Sequence, residues 1–459
     1  MGIVYRARDL AAGGVVALKT LAGVGERDAA RFAREAAVLA ELSHPGIVRY
    51  VAHGFTAQHE HYIAMEWLEG ETLHDRLQRG RLRVTDAVTM GRAIAGAIAA
   101  AHKRDIVHRD LKPMNLFVPG LQNSDLAKIK VLDFGIARHI HNASTLTNTG
   151  TVIGTPGYMA PEQVRGETAL DSRTDVFALG CVLYRALTGT PPFGGGESLA
   201  ILAKILVEEV IPPSVIEPSI PPALDAIVLR MLAKDPAERP ADGRAISEAL
   251  ASLVEVTEVA SSVPPDRVEL PETHRDTVRQ AITEQEQRLV SVVLSGAPPG
   301  ESIATEPDRL ATTAAAFGGR LERIADGANL VLFAHADVAT DHATRAARCA
   351  LALRDVLPGA ALVVASGRAA IGRTIVGDVI DRAVSALSAG AGSQIIVDEP
   401  TANLLDERFV VSERDGRKYL RGVRDAAGGN EPVRTLLGKA TPIVGRDREL
   451  ATLEGLWAE

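Results

Sequence analysis

Residues 108–115 read His-Arg-Asp-Leu-Lys-Pro-Met-Asn, and they constrain the fold of this 459-residue chain more than any other stretch. They follow a helical pattern over residues 88–103 and an apolar pair at 106–107, which predict a helix, a brief strand and an exposed loop. The loop holds a proton acceptor, a cation and an oxygen ligand, namely Asp110, Lys112 and Asn115. Phosphoryl transfer needs these groups to orient a hydroxyl, balance the γ-phosphate charge and bind Mg²⁺. The alternative is a solvated polar loop, but the specific combination of residue types at these eight positions disfavours it.

Three further features occur in the order that nucleotide chemistry requires. Asp133 ends an apolar run and precedes a Phe-Gly pair, so a sharp turn can present it to Mg²⁺ and phosphates. Lys19 ends an alternating apolar run, which predicts a strand that presents a cation. Glu35 lies on a helical pattern with one apolar face, and a Lys19–Glu35 pair would hold the lysine on the α- and β-phosphates. Each of these two alone could be a plain surface charge.

In the order of these motifs and the identity of their residues, residues 1–255 resemble a protein kinase of the eukaryotic-like bacterial Ser/Thr class. The resemblance implies an α+β, two-lobed fold whose N-terminal lobe lacks its first strand. It also implies ATP and Mg²⁺ as cofactors and protein substrates that carry Ser or Thr. Asp110 would orient the substrate hydroxyl, and Lys112 would contact the γ-phosphate. Asn115 and Asp133 would hold Mg²⁺.

The resemblance also assigns a nucleotide pocket. The sequence begins within the motif of a glycine-rich loop, with Gly2 as its last glycine and Val4 as the roof over adenine, so we expect an N-terminally truncated or mis-started chain. A predicted strand leads into the hinge between the lobes, where Met65 borders the back pocket and the backbones of Glu66 and Leu68 bond adenine. The implied ATP-binding residues are Gly2, Val4, Ala17, Lys19, Glu35, Met65, Glu66, Leu68 and Leu116.

A segment rich in hydroxyl side chains occupies residues 136–159. Two guanidinium groups, those of Arg109 and Arg138, are suited to capture a phosphothreonine in this segment and thereby order it. Thr147 and Thr149 best match the pair that is phosphorylated in the kinase family, so we expect them to be regulatory phosphosites. The alternative is an ordinary polar loop, since most such loops contain threonine.

Three residues are assigned to the scaffold of the kinase-like domain. Glu162 should pair with Arg239 as a buried structural bridge. Asp175 begins an apolar helix and is placed to brace the backbone of the catalytic loop. The sequence of residues 154–162, together with Lys112, resembles that of Ser/Thr kinases more than that of Tyr kinases.

Charge and cysteine content exclude several classes of partner. Fifty basic and 58 acidic residues give a net charge of −8, so no basic surface argues for nucleic acid or for an anionic membrane. Cys181 and Cys349 are too few for a disulfide framework or a zinc site, which fits a reducing compartment. We find no apolar run of about 18 residues and no signal peptide. We therefore expect a cytoplasmic protein without nucleic-acid or membrane partners.

The chain divides into four predicted segments: a kinase-like domain, a linker, an α/β sandwich and a second linker, at residues 1–255, 256–286, 287–425 and 426–459. Alternating strand and helix patterns predict the sandwich. In the order of its elements and the residues of its motifs, it resembles a class III nucleotide cyclase homology domain. The last segment also resembles the entry to an AAA-type or signal-transduction ATPase, and no phosphate-binding loop follows it, so we expect a cut C-terminus as well.

The cyclase-like segment departs from its family at the residues that carry the chemistry. Gly296 stands where the first metal-binding aspartate belongs, while Asp326 keeps the second. Asp381 and Ser385 stand where the family has an asparagine and a transition-state arginine. Loss of a metal ligand and of the cationic clamp would remove most stabilisation of the leaving group. We therefore expect a non-catalytic binding or dimerising module.

The sequence thus predicts a Ser/Thr protein kinase that transfers the γ-phosphate of ATP to protein substrates in bacterial signalling. Two alternatives from other classes stay open. One is a pseudokinase scaffold that keeps its residues but lacks a competent nucleotide loop. The other is an active nucleotide cyclase governed by the kinase domain. A homodimer through either domain is a further expectation.

Overall fold

The computed structural model describes residues 3–10, 13–21, 40–56, 60–120, 125–134, 156–253, 287–296, 307–325, 327–334, 339–370, 377–388, 394–424, 435–436 and 439–440. The chain forms two compact units. The first comprises Met1–Gln287 with Arg323–Gly327 and Ala370–Gly377, and the second comprises the rest.

The first unit begins with a four-stranded antiparallel sheet. Its strands are β1 (Ile3–Arg8), β2 (Val15–Leu21), β3 (Tyr50–Phe55) and β4 (His61–Glu66). The strand order is β1-β2-β4-β3, so β2 and β4 are central. The register sets Ala17 opposite Met65, and it sets Lys19 opposite Val4 on one side and Ile63 on the other. The sheet therefore holds the predicted cation on a central strand.

The rest of the first unit is mainly helical. Its α-helices among the described residues are α1 (Leu73–Gln78), α2 (Val84–His102), α3 (Pro161–Val164), α4 (Ser172–Thr188), α5 (Ser198–Val207), α6 (Pro213–Ile216), α7 (Pro222–Met231) and α8 (Gly243–Ala251). Helix α4 is buried along nearly its whole length and is the core of this part. Asp171 caps its N-terminus by accepting from the N–H of Arg173, and Gly189, whose φ of 83° suits glycine, caps its C-terminus.

Helix α2 packs between α4 and α8 and carries the catalytic-loop candidates at its C-terminal end. Gly243 lets α8 approach closely, because a Cβ there would lie 2.5 Å from the carbonyl oxygen of Ala95 on α2. By length and hydropathy α2 is the one described helix that could cross a membrane, and half of the tested window is buried inside the protein. A core helix meets the same criteria of length and composition.

A small three-stranded sheet and two short 3₁₀ turns frame the loop that follows α2. The strands are β5 (Gly70–Thr72), β6 (Leu116–Pro119) and β7 (Lys130–Val131), in the order β5-β6-β7. The turns are Pro113–Asn115 and Leu126–Lys128. A bridge between Ile47 and Val131 continues the pairing beyond β7. Further 3₁₀ turns are Pro156–Tyr158 and Pro236–Glu238. Strands β6 and β7 thus fix the two ends from which Asn115 and Asp133 extend.

The second unit is built on a mixed sheet covered by helices. The strands are β8 (Gln287–Ser295), β9 (Arg320–Arg323), β10 (Asn329–Phe333), β11 (Leu362–Ala370), β12 (Ile395–Val397), β13 (Phe409–Arg414) and β14 (Arg417–Val423). The helices are α9 (Pro307–Ala316), α10 (Ala339–Val356), α11 (Gly377–Ser388) and α12 (Glu399–Leu404). A separate ladder joins β15 (Thr435–Leu436) and β16 (Lys439–Ala440).

The seven strands run in the order β13-β14-β12-β11-β8-β10-β9. Strands β11 and β12 pair in parallel, whereas β8 with β10 and β12 with β14 pair antiparallel. The apolar core lies between the sheet and helices α9 and α10. Alanines dominate the buried face of α10, and such small side chains let a helix lie close to a sheet.

Local sequence patterns located some of these elements. The strand predicted at residues 15–19 and the helix predicted at 88–103 are confirmed, with small shifts at their ends. The brief strand predicted at 106–107 is wrong. The N–H of Ile106 instead donates to the carbonyl of Ala101 (3.1 Å) and closes α2. The N–H groups of His108 and Arg109 donate to the carboxylate of Asp175, and no strand ladder forms there.

Candidate active site

The three candidates of the catalytic loop lie together just after α2. The carboxylate oxygen Oδ2 of Asp110 lies 2.9 Å from Nζ of Lys112. Asn115 donates from Nδ2 to the carbonyl oxygen of Asp110 (2.8 Å) and to its Oδ2 (3.1 Å). The Lys112 and Asp110 side chains are 19% and 27% exposed, respectively. The structure therefore brings the predicted base, cation and oxygen ligand into one cluster that solvent can reach.

The hydrogen bonds of Asn115 fix which atom of its side chain can bind a cation. Both close partners of Nδ2 are oxygen acceptors, so the amide oxygen is the atom suited to a metal. The backbone carbonyl of Asn115 accepts from the N–H of Leu132 (2.8 Å), the residue before Asp133. Carboxylate and amide oxygens are ligands that Mg²⁺ accepts, so the donor set of Asn115 and Asp133 fits this ion.

Asp175 holds the backbone of the catalytic loop in place. Its Oδ2 accepts from the N–H of His108 (2.7 Å), and its Oδ1 accepts from the N–H of Arg109 (2.8 Å). Arg109 has a φ of 63°, a left-handed conformation that a residue with a Cβ adopts at a cost in energy. The buried carboxylate, 1% exposed, stabilises this strained turn. The geometry predicted for Asp175 as a brace is thus present.

A histidine that sequence analysis overlooked links Asp175 to the start of α8. His102 lies 2.9 Å from Oδ2 of Asp175 through Nε2, and its Nδ1 accepts from the N–H of Gly243 (3.2 Å). Because Nδ1 is an acceptor, Nε2 carries the proton and donates to the carboxylate. No motif signals this role, since the two partners of His102 lie far along the chain.

His108 ties the catalytic loop to the segment that presents Asp133. Its Nδ1 accepts from the N–H of Asp110 (3.2 Å), so its Nε2 donates to the carbonyl of Leu132 (2.8 Å). The fully buried ring also packs on Phe134, with ring centroids 4.7 Å apart. His108 thus sets the backbone of the candidate base and the position of the candidate metal ligand at once.

The ammonium group of Lys19 lies 2.6 Å from Oδ2 of Asp133. The predicted partner of Lys19, Glu35, lies outside the described residues, so that pairing stays a prediction. Asp133 has a φ of 49°, a left-handed conformation, as expected for a residue at a sharp turn. The pair joins the central strand β2 to the segment after β7.

The predicted hinge follows β4 directly. The N–H of Glu66 donates to the carbonyl of Arg49 (2.9 Å), so a contact of Glu66 with adenine would use its carbonyl oxygen. The carboxylate of Glu66 binds Nζ of Lys130 (2.7 Å), which lies three residues before Asp133 in sequence. The guanidinium carbon of Arg6 lies 5.3 Å from the ring centroid of Trp67, which connects β1 to the hinge.

The remaining pocket candidates lie on two sheets of the first unit. Ala17 and Met65 face each other across β2 and β4, and Val4 lies on β1 and is 55% exposed. Leu116 begins β6 and is fully buried. Leu68 follows β4 and is half-buried. Six predicted residues lie outside the described part of the chain: Gly2, Glu35, Arg138, Thr147, Thr149 and Asp326.

Glu162 and Arg239 form a buried bidentate ion pair. Nη1 and Nη2 of Arg239 donate to Oε1 and Oε2 of Glu162 at 2.8 and 2.9 Å, and the side chains are 0% and 5% exposed. Thr174 donates to Oε1 of the same carboxylate (2.9 Å). The guanidinium also lies over the ring of Phe177 on α4, 4.9 Å from its centroid. The pair therefore anchors the start of α3 to the core helix.

The second unit shows where its candidate residues lie. Gly296 follows β8, and its N–H donates to the carbonyl of Ala361 (3.1 Å). Asp381 and Ser385 both lie on α11, and Ser385 is exposed. Arg382 on the same helix donates from Nε to Oδ2 of Asp398 (3.1 Å).

A small antiparallel sheet, a helical lobe and the loop cluster around Asp110 together define the class of protein kinases. The family model described as "Protein kinase domain" matches residues 1–252, so the chain belongs to this family. The fold of the first unit is thus the α+β protein kinase fold. The family model does not extend to the second unit.

Curated bacterial relatives carry the name serine/threonine-protein kinase. Pkn3 from Myxococcus xanthus is 39% identical over 262 residues, which cover 55% of this chain and 48% of Pkn3. PknB from Mycobacterium leprae is 40% identical over 246 residues, which cover 52% of this chain and 39% of PknB. The chain thus spans less than half the length of these relatives. Among solved structures, the PknI kinase domain of Mycobacterium tuberculosis aligns at 27% identity with a TM-score of 0.43, covering 55% of this chain and 90% of that domain.

Proposed function

We propose that this chain is a serine/threonine protein kinase that transfers the γ-phosphate of ATP to Ser or Thr of protein substrates in bacterial cytoplasmic signalling. The observation that carries the proposal is the cluster of Asp110, Lys112 and Asn115 on a loop that Asp175 braces. Phosphoryl transfer depends mainly on positioning and on charge stabilisation, and this loop supplies both. The names of the bacterial relatives support the choice of Ser/Thr.

In this mechanism the carboxylate of Asp110 accepts the proton of the substrate hydroxyl and orients its oxygen toward the γ-phosphate. Lys112 lies 2.9 Å from this carboxylate, so its charge would lie close to the point where the γ-phosphate meets the hydroxyl. The ammonium balances charge that develops on the transferred group. The hydrogen bond from Asn115 to Oδ2 keeps the base in one orientation.

Asn115 and Asp133 would hold Mg²⁺, which neutralises charge on the phosphates when it is bound. Lys19 would contact the α- and β-phosphates, with Glu35 behind it. Charged hydrogen bonds of this kind are about twice as strong as neutral ones, so they position the nucleotide firmly. The hinge carbonyl of Glu66 and the backbone of Leu68 would bind adenine.

Transfer of radiolabelled phosphate from ATP to a generic acceptor protein tests the proposal on the full chain. Labelling that Asp110→Asn abolishes supports a kinase. Nucleotide binding without labelling would overturn the proposal in favour of a pseudokinase scaffold. Fluorescence of Trp67, which lies in the hinge and contacts Arg6, offers a direct measure of nucleotide binding.

Regulation would act through the segment before α3. Phosphate on Thr147 or Thr149 would be captured by Arg109 and Arg138, which would order this segment. Replacing both threonines with alanine should then lower transfer while nucleotide binding stays nearly unchanged. Full activity of the double variant would contradict this mechanism.

For the second unit we propose a non-catalytic, cyclase-like module that serves binding or dimerisation. The proposal is supported by Gly296, Asp381 and Ser385, which stand where the resemblance to cyclases expects a metal-binding aspartate, an asparagine and a transition-state arginine. The nearby guanidinium of Arg382 is already bound by Asp398. Assays for cyclic AMP and cyclic GMP should detect no product, and turnover that Asp326→Ala abolishes would contradict the proposal. Sedimentation of the full chain tests the homodimer.

A further inference from the structure

Gln163 on α3 makes two hydrogen bonds that join the residues before α3 to the catalytic loop. Its Nε2 donates to the carbonyl oxygen of Arg109 (2.8 Å). Its Oε1 accepts from the N–H of Ala160 (3.0 Å). These residues are separated by 54 positions in the first contact and by three in the second. One side chain thus connects Ala160, which follows the hydroxyl-rich segment, to the residue that precedes Asp110.

The carbonyl that Gln163 holds belongs to the peptide between Arg109 and Asp110. The N–H of the same peptide donates to Nδ1 of His108 (3.2 Å). Both polar atoms of this peptide are therefore fixed, one by each side chain. This peptide directly follows Arg109, whose φ of 63° is left-handed. A rotation of the peptide plane would therefore redirect the Asp110 side chain. Asp175 binds only the preceding N–H groups, so it does not fix this carbonyl.

We infer that Gln163 is a positioning residue for Asp110, which couples the conformation at Ala160 to the orientation of the base. The inference rests on the kinase function proposed above. When Ala160 is in place, its N–H orients the Gln163 amide so that Nε2 faces the Arg109 carbonyl. If Ala160 shifts, the amide can turn, and the carbonyl loses its donor. A residue outside the catalytic loop would thereby make the base depend on the position of Ala160.

Two substitutions separate this role from simple packing. Gln163→Glu keeps the size of the side chain and an oxygen for the N–H of Ala160, but it places a second acceptor against the Arg109 carbonyl. Gln163→Met removes both hydrogen bonds without adding charge. Gln78→Glu is the matched control, because it makes the same change at an exposed position at the end of α1.

In the full chain, both Gln163 variants should lower kcat about tenfold or more, because a small displacement of a catalytic group has an effect of this size. KM for ATP, nucleotide affinity and the thermal midpoint should change little, and Gln78→Glu should change none of them. A purely structural role would instead lower the thermal midpoint and leave kcat per folded molecule intact. Equal kcat in Gln163→Glu and the parent would overturn the inference.

Hydrogen exchange provides a measurement that does not need activity. Peptides that cover residues 108–111 should exchange faster in Gln163→Glu and Gln163→Met than in the parent or in Gln78→Glu. Unchanged exchange there would overturn the inference even if the chain is an active kinase. Faster exchange in a chain that transfers no phosphate would support the coupling and contradict the proposed kinase function alone.

Discussion

The ammonium of Lys19 lies 2.6 Å from the carboxylate of Asp133, and this contact links the central strand of the small sheet to the turn beyond β7. Each group neutralises the other. Each can also bind a different partner: Lys19 can bind a phosphate oxygen, and Asp133 can bind Mg²⁺. With side chains 19% and 36% exposed, the pair lies where a nucleotide can enter. Exposure of this degree also means that the pair contributes little to stability.

Asp133→Asn is therefore expected to affect chemistry much more than folding. Loss of the carboxylate should lower kcat/KM for phosphate transfer about a hundredfold or more, because charge stabilisation near the phosphates is lost. The thermal midpoint should hardly change. Asp125→Asn, at a surface carboxylate paired with Lys128, is the control and should leave transfer intact. Parental activity in Asp133→Asn would show that this carboxylate has no role in transfer.

Asp175→Asn should reduce both stability and turnover. An amide at this position cannot accept from all the donors that reach the carboxylate, which include two backbone N–H groups and His102. We expect the free energy of unfolding to fall by about 2 kcal/mol or more. Urea unfolding measures this loss, and kcat corrected for the folded fraction should fall about tenfold.

Asp225→Asn is the control for that experiment. Asp225 holds the backbone N–H and the hydroxyl of Ser214 at 2.9 and 2.8 Å, away from the catalytic loop. This variant should lose stability without losing kcat. A similar loss of kcat in both variants would mean that Asp175 affects turnover only through global stability.

Arg239→Met is expected to destabilise the first unit strongly. It leaves the carboxylate of Glu162 buried and without its guanidinium, which typically costs about 3–5 kcal/mol. Adding Glu162→Gln should recover part of this loss, because the uncompensated charge is then removed. Chemical denaturation of the two variants measures the difference. Arg244→Met, at an exposed pair with Glu248, should cause no measurable change. Equal stability of Arg239→Met and the parent would contradict the prediction.

Lys234 should make stability depend on pH. Its Nζ donates to the carbonyl of Ile205 (2.7 Å) and lies 4.0 Å from the ring centroid of Phe193. Burial lowers its pKa from 10.5 to about 7, an effect that Glu208 and Glu209 partly oppose. Between these values the unfolded chain binds a proton that the folded protein does not. The contribution of Lys234 is therefore fully present above pH 10.5 and is lost as the pH falls toward 7.

Lys234→Met removes the titrating group and so tests this pH dependence. Relative to the parent, the variant should gain stability as the pH falls from about 10 to about 7, on top of a constant loss from the missing hydrogen bond. Unfolding by urea at a series of pH values measures the difference. Lys128→Met, at a side chain that is 76% exposed, should differ from the parent equally at each pH. A pH-independent difference for Lys234→Met would contradict the prediction.

Sequence motifs alone were enough to predict the family and the local arrangement of the candidate site. Asp110, Lys112 and Asn115 lie within six residues, so one loop of fixed identity is enough to bring them together. The apolar run at residues 15–18 likewise predicted strand β2 with Lys19 near its end, because a short apolar run of this kind is typical of a strand. Their roles in catalysis remain predictions.

The contacts that hold that loop in place depend on the packing of the folded chain. His102, His108 and Gln163 bind backbone atoms from elements distant in sequence, and neither spacing nor periodicity contains such contacts. The predicted strand at 106–107 failed for the same reason. Its apolar residues satisfied the local pattern, but the end of α2 and the carboxylate of Asp175 had already bound the neighbouring N–H groups. Each residue other than proline has one backbone N–H donor, and the packed fold determines which acceptor this N–H binds.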